Sequence, residues 1–195
     1  MLYKFAKIIF YIYFYVFNRL VIKGKENRVI EGPTVVFANH YSNFDAFVMS
    51  LAFKRQIHYM AKKEIFNRPL IKTLAKWYGA FPVDRKNLDT GSLKTAMRIL
   101  KNNKVLGIFP EGTKVRDMNN KITPKGGFTM LAYKTNSMLQ PVRIKYKRKL
   151  MIFNRIDIII DKPISFQDLG VVEKTTEEFT EIGNKLVENV YKLMD

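Results

Sequence analysis

The residues of this chain best suited to chemistry are His40 and Asp45, in the stretch Ala38-Asn39-His40-Tyr41-Ser42-Asn43-Phe44-Asp45. A histidine can take up and return a proton near neutral pH, because its unperturbed pKa lies close to 6.5. An aspartate five residues on can turn back to the imidazole, fix its tautomer and stabilise the imidazolium that forms on proton uptake. That is the composition of a general base with its orienting partner. A purely structural His–Asp pair has the same spacing, so these two residues alone leave both readings open. The other histidine, His58, has no acid near it in sequence and reads as packing. The chain has no cysteine, which removes disulfides, thiolate zinc sites and a cysteine nucleophile, and suits a reducing compartment.

Elements must hold such a pair in place. Thr34 to Ala38 is an apolar run that reads as a buried strand. His40 then sits at a strand's carboxyl end, where open α/β sheets place their chemistry. Ser42 or Asn43 can cap the next helix, with Asp45 in or near its first turn. Phe44–Lys54 reads as that helix and Gln56–Ala61 as a second strand. Pro69 opens a helix over Leu70–Tyr78, with Leu70, Leu74 and Trp77 on one face. Gly79 to Arg85 holds a short strand with a charged tip. Thr90 and Ser92 can cap a helix through Lys101, on which Leu93, Ala96, Met97 and Leu100 recur at helical spacing. Val105–Phe109 is a further strand, running into the turn Pro110-Glu111-Gly112-Thr113-Lys114. Phe128–Tyr133 reads as helix, and Leu139–Lys145 and Ile156–Ile160 as strands. Thr175 with Glu178 forms a capping box that opens a last helix, with Phe179, Ile182, Leu186, Val190 and Leu193 facing inward. Gly24–Gly32 is a connector or short hairpin. Strands alternating with helices predict an α/β fold with a mostly parallel central sheet flanked by helices.

Three separated motifs resemble the first three blocks of the glycerolipid acyltransferase family, which includes the 1-acyl-sn-glycerol-3-phosphate acyltransferases. They are Asn39-His40-x4-Asp45, Gly79-x-Phe81-x3-Arg85 and Phe109-Pro110-Glu111-Gly112-Thr113. Gln140-Pro141-Val142 is similar to the fourth. The resemblance covers roughly residues 30–145. It implies that His40 deprotonates an acceptor hydroxyl, that Asp45 orients it, and that the oxygen attacks an acyl thioester with no acyl-enzyme. It also implies that Arg85 and the turn Glu111, Gly112, Thr113 and Lys114 hold the acceptor's phosphate. Glu111 repels a phosphate, so positioning Arg85 or accepting a glycerol hydroxyl suits it better. The family usually has Arg where this chain has Lys114, which keeps the charge and loses the bidentate fork. No metal or cofactor is expected; acyl-CoA or acyl-carrier protein enters as the donor substrate, lysophosphatidic acid as the acceptor. Another lysophospholipid or lipid alcohol is the alternative acceptor.

The charge balance asks for an anionic partner. Lys plus Arg number 34 against 17 acids, a formal net charge of +17. Such a field favours nucleic acid, an anionic membrane or a phosphorylated substrate. The aromatics that nucleic-acid binding would interleave with the cations cluster instead at the N-terminus, away from basic runs such as Lys145–Lys149, which argues against nucleic acid. Tyr3, Phe5, Phe10, Tyr11, Tyr13, Phe14, Tyr15 and Phe17 all fall there, and Ile8–Phe17 is an unbroken apolar or aromatic run. Such a run is too short to span a bilayer, which takes about 20 residues. Two readings remain: a helix lying in one leaflet, which fits better, and a helix buried on the domain's own core. The expected organisation is a membrane-interface helical segment over 1–22 and an acyltransferase α/β domain over 23–195. The expected location is the cytoplasmic face of the cell membrane, peripheral or monotopic.

Overall fold

The computed structural model describes residues 2–84, 90–115, 126–148 and 153–193. In chain order the elements are α1 (Leu2–Phe17), β1 (Asn18–Lys23), β2 (Thr34–Ala38), α2 (Asp45–Ala52), β3 (Ile57–Lys62), α3 (Pro69–Trp77) and β4 (Phe81–Val83). They continue with α4 (Thr90–Lys101), β5 (Val105–Ile108), α5 (Gly127–Thr135), β6 (Met138–Tyr146), β7 (Asn154–Ile160) and α6 (Thr176–Lys192). The strands form one sheet in the order β1-β7-β6-β2-β5-β3-β4. Every pairing is parallel except β6 with β7.

β2 lies at the centre, and all five of its residues are buried. A strand buried on both faces reads as a continuous apolar run. Successive side chains point to opposite faces, so Val36 and Ala38 enter one core layer and Val35 and Phe37 the other. The first layer is closed by α1 and α2, through Phe14, Val48 and Met49. The second is closed by α4, α5 and α6, through Leu100, Phe128, Leu131 and Val187. A Cβ on Gly107 of β5 would lie 2.5 Å from the Tyr59 ring, so the aromatic side chain beside it requires glycine there.

Several expectations are corrected. The N-terminal helix ends at Phe17, and Asn18–Lys23 is an edge strand in register with β7, Asn18 opposite Asn154. The Asn18 side-chain oxygen accepts the Asn154 N–H at 3.2 Å, which takes the chain out of the helix and onto the sheet. Residues 18–22 therefore belong to the α/β body. Gly24–Gly32 is a connector with one 3-10 turn at Lys25–Asn27, not a hairpin. α3 buries none of its residues, and Leu70 is 87% exposed, so its apolar face does not turn wholly inward. On α6 the expected stripe does face inward, Phe179 and Val190 buried and Ile182, Leu186 and Leu193 partly so, with Gly183 and Val187 buried beside it. Thr175 Oγ1 accepts the Glu178 N–H as a cap, while the Glu178 carboxylate accepts from Val172 and Lys174 rather than closing the box on Thr175.

α1 packs one side on the domain's own core and leaves a large apolar face exposed. Ala6 and Phe14 are fully buried, and Phe10 stacks on Phe47 at 4.0 Å between ring centres. Nine of its sixteen residues are nonetheless large, apolar or aromatic, and exposed, from Leu2 to Phe17. At 1.5 Å per residue the helix is about 24 Å long. No helix among the described residues is long and apolar enough to cross a membrane.

Candidate active site

β2 ends at Ala38, but its pairing continues through a side chain. The Asn39 amide nitrogen donates to the Ile144 carbonyl at 2.9 Å, and its oxygen accepts the Ile144 N–H at 2.8 Å. This imitates one more rung of the β2–β6 ladder and fixes the backbone just before His40.

His40 is then held on every side. Its ring stacks on Phe109, the residue after β5, at 4.4 Å and 20°. Its N–H donates to Glu111 Oε1 at 3.3 Å, and its carbonyl accepts the Val115 N–H at 2.7 Å. The backbone of His40 is thus bound by Glu111 of the third motif and by Val115, two residues past that motif. His40 Nδ1 lies 2.8 Å from Asp45 Oδ2, and the histidine side chain keeps 18% of its surface exposed while Asp45 keeps none.

Asp45 begins α2. The expected side-chain cap from Ser42 or Asn43 is not what forms: the N-cap is Phe44, without a side-chain cap bond. The chain instead wraps the carboxylate. Oδ2 accepts the N–H groups of Tyr41 at 2.6 Å and Ser42 at 2.8 Å, and Oδ1 accepts the Tyr146 hydroxyl at 2.6 Å. A buried carboxylate demands this many donors. Ser42 Oγ is used locally, accepting the Phe44 N–H. With Asp45 accepting from Nδ1, the other ring nitrogen, Nε2, is the one available to a substrate proton.

Glu111 lies beyond β5. Its Oε1 also accepts the Tyr191 hydroxyl from α6 at 2.7 Å. Its Oε2 is buried with no hydrogen-bond partner among the described residues. Burial pushes the Glu111 carboxyl above the ordinary glutamate value, partly offset by the bond from Tyr191. Tyr191 in turn carries the Arg143 guanidinium over its ring, 4.4 Å from the ring centre. Burial, with Glu111 beside it, holds the Tyr191 hydroxyl protonated as a donor. The same two causes, burial first and then Asp45, act on Tyr146.

Gly112 has φ +66°, the left-handed region that favours glycine, and its N–H closes the turn on the Phe109 carbonyl at 3.0 Å. Thr113 is exposed and Lys114 partly so, on the same turn that returns to His40 at Val115. The structure thus joins His40, Asp45 and Glu111 in one hydrogen-bonded cluster, with Gly112, Thr113 and Lys114 on the adjoining turn. Arg85 lies outside the described residues. His58 is placed elsewhere: its Nδ1 meets the Gly79 carbonyl at 3.2 Å, and burial lowers its pKa. Two residues that complete the cluster, Tyr146 and Tyr191, were not marked by the sequence. Tyr146 stands inside the basic run at Lys145–Lys149, where an aromatic hydroxyl among cations was the available signal. Tyr191 carries none.

A family model described as Acyltransferase matches residues 19–145. The chain belongs to the acyltransferase family. It is 28% identical over 179 residues to the 1-acyl-sn-glycerol-3-phosphate acyltransferase of Bacillus subtilis, covering 85% of this chain and 88% of that one. It is 31% identical over 161 residues to a chloroplastic 1-acyl-sn-glycerol-3-phosphate acyltransferase of Arabidopsis thaliana, covering 77% of this chain and 45% of that one. The crystal structure of the 1-acyl-sn-glycerophosphate acyltransferase PlsC from Thermotoga maritima superposes with a TM-score of 0.71 at 24% identity, over 100% of this chain and 80% of that one. This last likeness establishes the α/β fold of the acyltransferase. The family match spans β1 to β6, so it ends short of Tyr146, β7 and α6.

Proposed function

We propose that this acyltransferase moves a fatty acyl group from acyl-CoA or acyl-carrier protein to the free hydroxyl of 1-acyl-sn-glycerol-3-phosphate, giving phosphatidic acid for phospholipid synthesis. The observation that carries the reading is the seating of His40: Nδ1 faces buried Asp45 at 2.8 Å, which leaves Nε2 as the base. Nε2 takes the hydroxyl proton as the acceptor oxygen attacks the thioester carbonyl carbon. The tetrahedral intermediate collapses with cleavage of the C–S bond, and the leaving thiolate receives the proton from His40. One ester and one thiol result, and the enzyme is returned unchanged with no acyl-enzyme. Asp45 stabilises the imidazolium formed midway.

Arg85, Lys114 and the turn at Gly112–Thr113 would hold the acceptor phosphate, which needs cations and backbone donors. Glu111 Oε2, buried and unpartnered among the described residues, suits a glycerol hydroxyl that donates to it. The acceptor's acyl chain lives in a bilayer, and the exposed face of α1 suits an anionic membrane surface at the cytoplasmic face, with the protein peripheral or monotopic. Another lysophospholipid or lipid alcohol as acceptor is the second reading, because Lys114, where the family usually has Arg, keeps the charge but loses the fork that would fix the headgroup geometry. Thiol release by purified protein, with both donors offered against lysophosphatidic acid, other lysophospholipids and monoacylglycerol, tests these readings. No release with any acceptor would sink acyl transfer; equal rates with uncharged monoacylglycerol would sink the reading of phosphate.

A further inference from the structure

One groove of the molecule is rich in charge, lies outside the cluster around His40 and is used by no step of the reaction. It opens where α1 runs into β1, against the start of β7 and the end of β6. Its volume is about 560 Å³, within the roughly 300–1,000 Å³ of small-molecule sites. Arg19, Lys147, Arg148 and Arg155 line it. Arg155 is engaged by Asp157, with Nε at 2.9 and 3.1 Å from its two oxygens. Arg19, Lys147 and Arg148 are exposed and form no ion pair among the described residues.

The floor of the groove is fixed by two buried asparagines. Asn154 accepts the Arg148 N–H at 3.0 Å and donates to the Arg148 carbonyl at 2.7 Å. The Asn154 N–H in turn donates to Asn18. The Asn18 amide nitrogen is buried without a hydrogen-bond partner among the described residues, although a buried donor is ordinarily paired. The rim is aromatic: Tyr15, Phe17 and Phe153 line the groove and are largely exposed. Phe17 and Phe153 meet edge to face, and the Phe153 N–H donates to the Phe17 carbonyl at 2.6 Å. This rim continues the exposed apolar face of α1.

Topology places the groove on the same edge of the sheet as His40. β6 runs parallel to β2, so its end at Tyr146 lies at the carboxyl end of β2. β7 is antiparallel to β6 and β1 parallel to β7, so both begin at that edge. At about 4.8 Å per strand, the groove lies roughly 10–15 Å along the sheet from His40.

We propose that this groove is a binding site for the phosphate headgroup of an anionic membrane phospholipid, distinct from the acceptor in the active site. Cations over an apolar, aromatic-rimmed helix match a ligand with a phosphate at one end and acyl chains beside it. A seated headgroup would orient α1 in the interface and turn the His40 edge of the sheet toward the leaflet. The proposal rests on the reading of this protein as an acyltransferase working at a membrane, but its test reads binding alone.

Vesicles of phosphatidylcholine with and without phosphatidylglycerol are the probe, with wild type, Arg19→Gln/Arg148→Gln, and the control Lys101→Gln/Lys104→Gln. All four positions are exposed. Each cation near an anionic surface is worth roughly a fivefold change in partition. The groove pair should therefore lose roughly 25-fold on phosphatidylglycerol vesicles and little on pure phosphatidylcholine, while the control pair loses far less. Equal losses for the two pairs would mean diffuse charge attraction and overturn the site. A rise in the thioester KM with unchanged vesicle binding would assign the groove to the donor and overturn it equally. A protein inactive in acyl transfer but with this binding pattern would overturn only the enzymatic reading.

Discussion

The corner around His40 and the outer face of α1 sit on the same molecule and are built on opposite terms. At the corner, one buried carboxylate takes four donors, from His40, Tyr41, Ser42 and Tyr146. Along α1, nine large side chains are left without cover. The corner is over-determined, so that one nitrogen faces one way. The helix face is left apolar and exposed, the surface that the proposed membrane contact would cover. A lipid acyltransferase needs both, since the chemistry demands fixed geometry and the substrate comes from a bilayer. Removing either should leave the other intact, and that separation can be measured.

The largest effect should come from the corner. His40→Ala should lower kcat by about 10²–10⁴-fold, the usual cost of losing a general base. Its melting temperature and vesicle binding should stay near wild type. Asp45→Asn should follow in activity, since it loses the charge that supports the imidazolium. Retention of most of the turnover by His40→Ala would remove His40 from the mechanism.

Next comes the helix face. Changing Phe5, Ile8, Ile9 and Ile12 to Ser keeps the buried Ala6 and Phe14. Burying a large apolar side chain contributes about 1.5–3 kcal/mol, so partial insertion of four should account for at least 100-fold in vesicle partition. Turnover on membrane-embedded acceptor should fall with it. Turnover on a short-chain, water-soluble acceptor should hold. Unchanged vesicle partition, measured by flotation, would show that the face has another use.

Tyr146→Phe sharpens the comparison from within the corner. It removes one of four donors to Asp45 and leaves the shape. Hydrogen bonds to charged groups contribute about 1.5–3 kcal/mol, and three remain, so a kcat loss of about tenfold is expected with KM near unchanged. A purely structural tyrosine would lower the melting temperature without changing kcat.

The smallest effect concerns Glu111. Its carboxyl is raised by burial, so the folded chain holds that proton more tightly than the unfolded chain does. Stability from this group is full below its ordinary value, about 4.3, and is lost as pH rises through the raised one. Glu111→Gln should therefore melt a few degrees above wild type near pH 7, with the gap closing toward pH 4. A gap independent of pH would mean that packing, not ionisation, sets it.

Much of this was legible in residue order. The run at Thr34–Ala38 is apolar on both faces, so a central parallel strand was the economical reading. The Asp45 carboxylate returned to His40 as its spacing allowed. β1 was not legible, because Leu20, Val21 and Ile22 follow an apolar helix with only Asn18 and Arg19 between. The strand is specified by pairing with β7, across the length of the chain. The exposure of Leu70 was hidden for a like reason: periodicity marks an apolar face without saying what covers it. Tyr191 was beyond reach, since its hydroxyl meets Glu111 only after α6 packs onto the sheet. Such long-range partners leave no local pattern.

The seam between β1 and β7 also sets an order of events. Asn18 and Asn154 are 136 positions apart, so β1 has no partner strand until nearly the whole chain has been synthesised. At about 5–20 residues per second, that interval is roughly 7–27 s. For most of it α1 has left the ribosome with even Phe14 uncovered, because β6 and β7, which help to bury it, have not yet been made. A bilayer offers that helix cover before the protein itself can. On the proposed membrane reading, association precedes folding, and the sheet closes against a helix already lying in lipid. Ribosome-bound chains halted before residue 154 should float with vesicles, and chains lacking residues 1–17 should not; sedimentation of both would place membrane capture after release.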